Sequence, residues 1–122
     1  MGRLIDAAQS NEEIKVIFIH GGLFYNSGND LSALAQMGGS ADDDQKLDAS
    51  SLGVNHMMVQ CLLAINRSKK PIVGLCRGQS IGIGFTTMGL FDFIYCSPDA
   101  KFSTPFMKSC QSPEGGSTLT FV

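Results

Sequence analysis

The string Ser112-Pro113-Glu114-Gly115-Gly116 holds the residue best suited to acid–base chemistry. Glu114 is the one acidic residue after Asp99, and it follows a run rich in Ser, Thr, Phe and Met. Desolvation disfavours the charged form of a carboxylate, so apolar surroundings raise its pKa. A raised carboxyl is the group a proton-shuttling base requires. The same Pro-Glu-Gly-Gly string also reads as an ordinary solvated turn before a helix.

A second candidate is Ser80. Gly78-Gln79-Ser80-Ile81-Gly82 matches G-x-S-x-G and stands between a strand pattern and a helix pattern, where a nucleophile elbow belongs. His20-Gly21-Gly22, also after a strand pattern, resembles the oxyanion motif of esterases. Against a serine hydrolase stands the order of the triad, which runs serine, acid, histidine. No histidine follows Ser80. Packing of a helix on a sheet equally explains Gly78, Gly82 and Gly84. Gly82-x-Gly84-x-x-Thr87 lacks the third glycine of a dinucleotide fingerprint.

The remaining candidates are weak. Cys61, Cys76, Cys96 and Cys110 contain no C-x-x-C pair, and they read as buried free thiols of a reducing compartment. His20 and His56 have no partner at metal-ligand spacing, so no metal site is expected. Asp42-Asp43-Asp44 lies in a polar stretch, 38–50, that reads as a surface loop.

Composition narrows the class. The 122 residues are 43% hydrophobic and 16% charged, with a net charge of −2. Nothing there resembles the basic footprint of a nucleic-acid binder. The longest apolar run falls short of the roughly 20 residues a membrane span needs. Met1-Gly2-Arg3-Leu4-Ile5-Asp6 puts an acid where a signal peptide's apolar segment would begin. Position 6 also lacks the Ser or Thr of a myristoylation signal.

Strand and helix patterns alternate. Residues 1–10 are helix-compatible. Ile14–Ile19 is a β-branched run that reads as a buried parallel strand. Asp30 suits the cap of a helix over Leu31–Met37. Ser51–Arg67 is helical, with Val54, Met58, Cys61, Leu62 and Ile65 along one face. Pro71–Cys76 is a second strand, Ser80–Leu90 a glycine-rich helix, and Phe91–Cys96 a third strand. Lys101–Thr104 reads as a short fourth, and Gly115–Val122 begins another helix. The pattern gives an α/β class.

Several of these motifs, in this order, resemble the crotonase (enoyl-CoA hydratase/isomerase) superfamily. Phe24-Tyr25-Asn26-Ser27-Gly28-Asn29-Asp30-Leu31 resembles its first acyl-CoA loop. Lys70 through Gly84, running Lys-Pro-Ile-Val-Gly-Leu-Cys-Arg-Gly-Gln-Ser-Ile-Gly-Ile-Gly, resembles its second. Phe91–Tyr95 and Phe102–Pro105 continue the pattern. Ser103 through Gly115 is most similar to the peroxisomal Δ3,Δ2-enoyl-CoA isomerases.

The resemblance implies a crotonase-like ββα spiral. Residues 1–122 would be the central part of one domain, without its N-terminal strands and C-terminal trimerisation helices. It implies an acyl-CoA thioester as substrate, with Ser27, Gly28, Asn29, Asp30, Leu31 and Gly82 as binding residues. The backbone N–H groups of Asn29 and Ile83 would form the oxyanion hole. The two glutamates of the family's hydratases are replaced by Thr86 and Phe106, which argues against water addition. Glu114 falls on the single catalytic glutamate of the isomerases, so the implied reaction converts a 3-enoyl-CoA to a trans-2-enoyl-CoA. Phe24, Phe106 and Met107 are expected around the acyl chain on account of their apolar side chains. No cofactor is implied, since coenzyme A belongs to the substrate. A homotrimer or hexamer is implied for the full-length protein, in the peroxisome or alternatively the mitochondrion. Two further readings stand beside this one: a non-catalytic acyl-CoA-binding or protein-interaction module of the chromodomain Y-like kind, and the serine hydrolase using Ser80.

Overall fold

The computed structural model describes residues 1–28 and 49–121, with side chains of 49–56 outside the described set. The expected helix over 31–37, its Asp30 cap and the acidic stretch therefore lie mostly or wholly outside the described residues.

The β-branched runs pair as parallel strands. β1 (Ile17–His20), β2 (Ile72–Cys76) and β4 (Phe93–Cys96) form a three-stranded sheet in the order β1-β2-β4. Ile17 lies opposite Ile72, and Val73 lies opposite Phe93. β2 is central and almost wholly buried, which fits its continuous apolar sequence. Side chains alternate across β1: Ile17 and Ile19 face the core, while Phe18 and His20 face out.

Helices α1 (Gly2–Ser10) and α2 (Ala49–Asn66) supply the other half of the core. Ile5, Ala64, Ile65 and Ile72 are its buried centre, and Ile17, Ile19, Cys61, Leu90 and Phe91 pack against it. Polar ties hold the end of α1 to the loop before β2. Lys70 Nζ donates to the carbonyls of Ala8 and Asn11. The Gln9 side chain bonds Ser68 Oγ and accepts from the Lys69 N–H.

A second, shorter ladder lies beyond β2. β3 (Gln79–Ile81) pairs in parallel with β5 (Lys101–Ser103), and Asn26 bridges to Ser80 on the other side of β3. After β3 come α3 (Ile83–Thr86), a 3-10 turn (Thr87–Leu90) and, near the end, α4 (Ser117–Thr120).

The helix expected over Ser80–Leu90 is thus corrected. Its first residues are a strand, because Ser80 pairs with both Asn26 and Phe102. Gly82 then breaks the chain at φ 54, ψ −127, a conformation that disfavours any side chain. The first strand also starts later than expected, because Ile14 turns back to donate to Asn11 O. Of the cysteines, all free, only Cys76 is buried; Cys61 is half-buried, and Cys96 and Cys110 are exposed. No described helix is long and apolar enough to cross a membrane.

β4 begins at Phe93, not Phe91, because Asp92 does other work. Its carboxylate accepts the N–H of buried Ile72 at 2.8 Å, and its own N–H donates to Ile72 O at 3.0 Å. Asp92→Ala leaves the Ile72 N–H unpartnered, which should cost about 1–3 kcal/mol. Asp92→Asn keeps an acceptor and should lose less. Urea denaturation of the two variants checks the order, and equal stabilities would refute it.

Candidate active site

Five backbone hydrogen bonds assemble the site. Tyr25 N and Asn26 N donate to Gln79 O at 3.0 and 3.2 Å, and Ile81 N donates to Asn26 O at 2.9 Å. Lys101 N donates to Gly78 O at 2.8 Å, and Gly82 N to Ser103 O at 2.9 Å. Three segments far apart in sequence therefore lie side by side. The Asn26 side chain adds a sixth tie, accepting the Gly28 N–H at 2.8 Å and fixing the turn that carries Ser27 and Gly28.

These segments enclose a cavity of about 380 Å³. Ser27 and Gly28 come from the first loop; Ile81, Gly82 and Ile83 from the end of β3 and the start of α3. Phe106, Lys108, Gln111 and Glu114 come from the segment after β5. Six of the residues singled out from sequence meet here: Ser27, Gly28, Gly82, Ile83, Phe106 and Glu114. Asn29, Asp30 and Leu31 lie outside the described residues.

Phe24 and Met107 were expected in the same pocket, and the structure places them elsewhere. Phe24 is 62% exposed on the far side of the Ser27 turn, and Met107 is 91% exposed. Their apolar type does not set which way a loop side chain faces. Lys108, Ser109 and Gln111 line the cavity although no motif marked them. A local net holds them: Ser109 Oγ donates to Gln111 Oε1 at 2.9 Å, and Gln111 N to Phe106 O at 2.9 Å.

Ile83 opens α3, so its N–H has no acceptor within the helix. The left-handed turn at Gly82 precedes it directly. Glu114 is the one carboxylate among the described residues lining the cavity. It is half-buried, and that burial raises its pKa above the ordinary carboxylate value. Gly115 follows at φ 63, and a Cβ there would stand 2.6 Å from Thr86 Oγ1. The missing side chain lets the Glu114 turn close onto the back of α3. Thr86 is fully buried, and its hydroxyl bonds Ile83 O at 3.4 Å, so it serves the helix and does not line the cavity.

Ser80 is no nucleophile. It is fully buried in β3, and its Oγ is directed at Met88 Sδ, 3.5 Å away. The G-x-S-x-G string is a strand followed by a glycine turn, without the exposed elbow that chemistry needs.

Comparison with known proteins agrees with this geometry. The family model described as Enoyl-CoA hydratase/isomerase matches residues 1–122. Human Enoyl-CoA delta isomerase 2 is 35% identical over 120 residues, covering 98% of this chain and 29% of that protein. Mouse Enoyl-CoA delta isomerase 3, peroxisomal, is 33% identical over 114 residues, covering 93% of this chain and 34% of that protein. The chain thus spans about a third of the length of these relatives. The crystal structure of an enoyl-CoA hydratase from a Polaromonas species superposes over 99% of this chain and 45% of that one. Its TM-score is 0.82 at 22% identity, which establishes the crotonase fold. The chain, with its paired parallel ladders and its glycine turn ahead of Ile83, belongs to the enoyl-CoA hydratase/isomerase family.

Proposed function

We propose that this chain carries the catalytic centre of an enoyl-CoA isomerase that moves a double bond from the 3 to the trans-2 position. The observation that carries the reading is the placement of Glu114 in one cavity with Gly28, Gly82 and the start of α3.

The chemistry needs one base and one anion-binding site. The Glu114 carboxylate removes a proton from the carbon α to the thioester. The enolate that forms is stabilised by main-chain donors, the Ile83 N–H and, beside Gly28, the N–H of Asn29. Glu114 then returns the proton at the γ carbon. A raised pKa favours both halves, since the group must accept and then release a proton at similar pH. Hydration would need a second acid to deliver and activate water. Thr86 is turned into its helix and Phe106 presents a ring, which supports isomerisation over water addition. The peroxisomal relative in mouse supports the same compartment for this protein.

In the full chain, Glu114→Gln should lower kcat by about 10²–10⁴-fold while acyl-CoA binding persists. A near wild-type rate would sink the assignment. Binding of acyl-CoA with no turnover by the unaltered protein would favour the non-catalytic module.

The pH profile gives a second check. Only the carboxylate form accepts the proton, so kcat/KM should fall as pH drops through the Glu114 pKa. Because burial raises that pKa, the acid limb should lie above the range of an ordinary carboxylate. It should vanish from the residual activity of Glu114→Gln.

Gly82→Ala tests the donor. A Cβ there meets nothing closer than 3.9 Å, so the strain is conformational. The cost is on the order of 1–3 kcal/mol, relieved by turning the peptide that carries the Ile83 N–H. A folded variant with kcat lowered on the order of 10²-fold is expected, the loss typical of a displaced oxyanion donor. An unchanged kcat would remove Ile83 from the mechanism.

A further inference from the structure

Cys76 and Cys96 are partners in the β2–β4 register, at the last residue of each strand. Neighbouring strands lie about 4.8 Å apart, inside the Cα separation of roughly 4.4–6.8 Å that a disulfide spans. Ser97 N donates to Cys76 O at 2.9 Å, which pins the register at this pair. The pair differs in access: Cys76 is 3% exposed, whereas Cys96 is open to solvent.

We propose that Cys76 and Cys96 form an oxidative modification site, closing to a cross-strand disulfide in response to a hydroperoxide. The exposed Cys96 thiol reacts first. Its sulfur takes one oxygen from the hydroperoxide, giving a sulfenic acid and releasing the alcohol, or water when the oxidant is hydrogen peroxide. Cys76 Sγ then attacks the Cys96 sulfur and displaces the hydroxyl, which leaves as water with the Cys76 proton. Two sulfurs lose one electron each, and the two electrons cleave the O–O bond.

The environment fits this order. Burial, followed by the neighbouring Cys96, raises the Cys76 pKa, so Cys76 rests as a thiol. Tyr25, pushed up to about 12 by burial and then by Cys76, stays a neutral phenol. Cys76 thus acts as the resolving partner, and Cys96 is the thiol the oxidant meets. β4 lies at the edge of the described sheet with all four residues exposed, so an oxidant reaches Cys96 from solvent.

Trypsin separates the two cysteines at Arg77, giving peptides 70–77 and 78–101. After hydrogen peroxide treatment of the full chain, non-reducing mass spectrometry should find these peptides joined, two hydrogens lighter than their sum. Dithiothreitol should release them. Cys96→Ser should abolish the link, and Cys110→Ser should leave it intact. Cys96 carried to the sulfinic acid with Cys76 still reduced would overturn the proposal. So would a link from Cys96 to Cys110 in place of Cys76.

Discussion

The short parallel ladder of Asn26, β3 and β5 is the constraint on which the site depends. Each of its backbone hydrogen bonds is worth only about 0.5–1.5 kcal/mol net. That is too little to order three distant segments alone. Side-chain burial supplies the rest. Phe85 of α3 lies 4.9 Å from Phe102 of β5 and stacks on Phe121 at 4.5 Å, measured between ring centroids. Aromatic contacts of this kind contribute about 0.5–1.5 kcal/mol beyond their buried area. The ladder aligns the segments, and the rings keep α3 and the chain end on them.

Electrostatics divides the cavity in two. One wall, formed by Ser27, Gly28, Ile81, Gly82 and Ile83, carries no side-chain charge. The other carries Glu114, with Lys108 as the one cation among the described lining residues. Proton transfer from carbon is helped when the base is poorly solvated and the developing charge meets fixed dipoles. In the proposed reaction the half-burial of Glu114 would provide the first condition, and the start of α3 the second.

Much of the fold could be read from residue types. The runs at Ile17, Ile72 and Phe93 announce themselves as strands because β-branched and aromatic residues cluster there. Boundaries were less legible, since Asp92 and Ile14 are drawn into side-chain and turn bonds that no periodicity reports. Residues 80–90 looked helical because Gly, Ile and Phe suit either state. Only the pairing of Ser80 with Asn26 and Phe102 makes the first part a strand. The grouping of Glu114, Ile83 and Gly82 was legible from ordered motifs, not from charge. Phe24 and Met107 were misplaced because loop orientation depends on turn geometry, as the net around Gln111 illustrates.

The glycine turn before Ile83 has a consequence for variation. A donor supplied by the main chain has no side chain to lose. Replacing Ile83 reshapes the cavity wall, yet the peptide N–H stays where Gly82 and β3 hold it. Pocket contour and the Ile83 N–H are therefore independent variables in this scaffold. Such modularity lets selection retune the shape of the cavity while the main-chain donor is left alone.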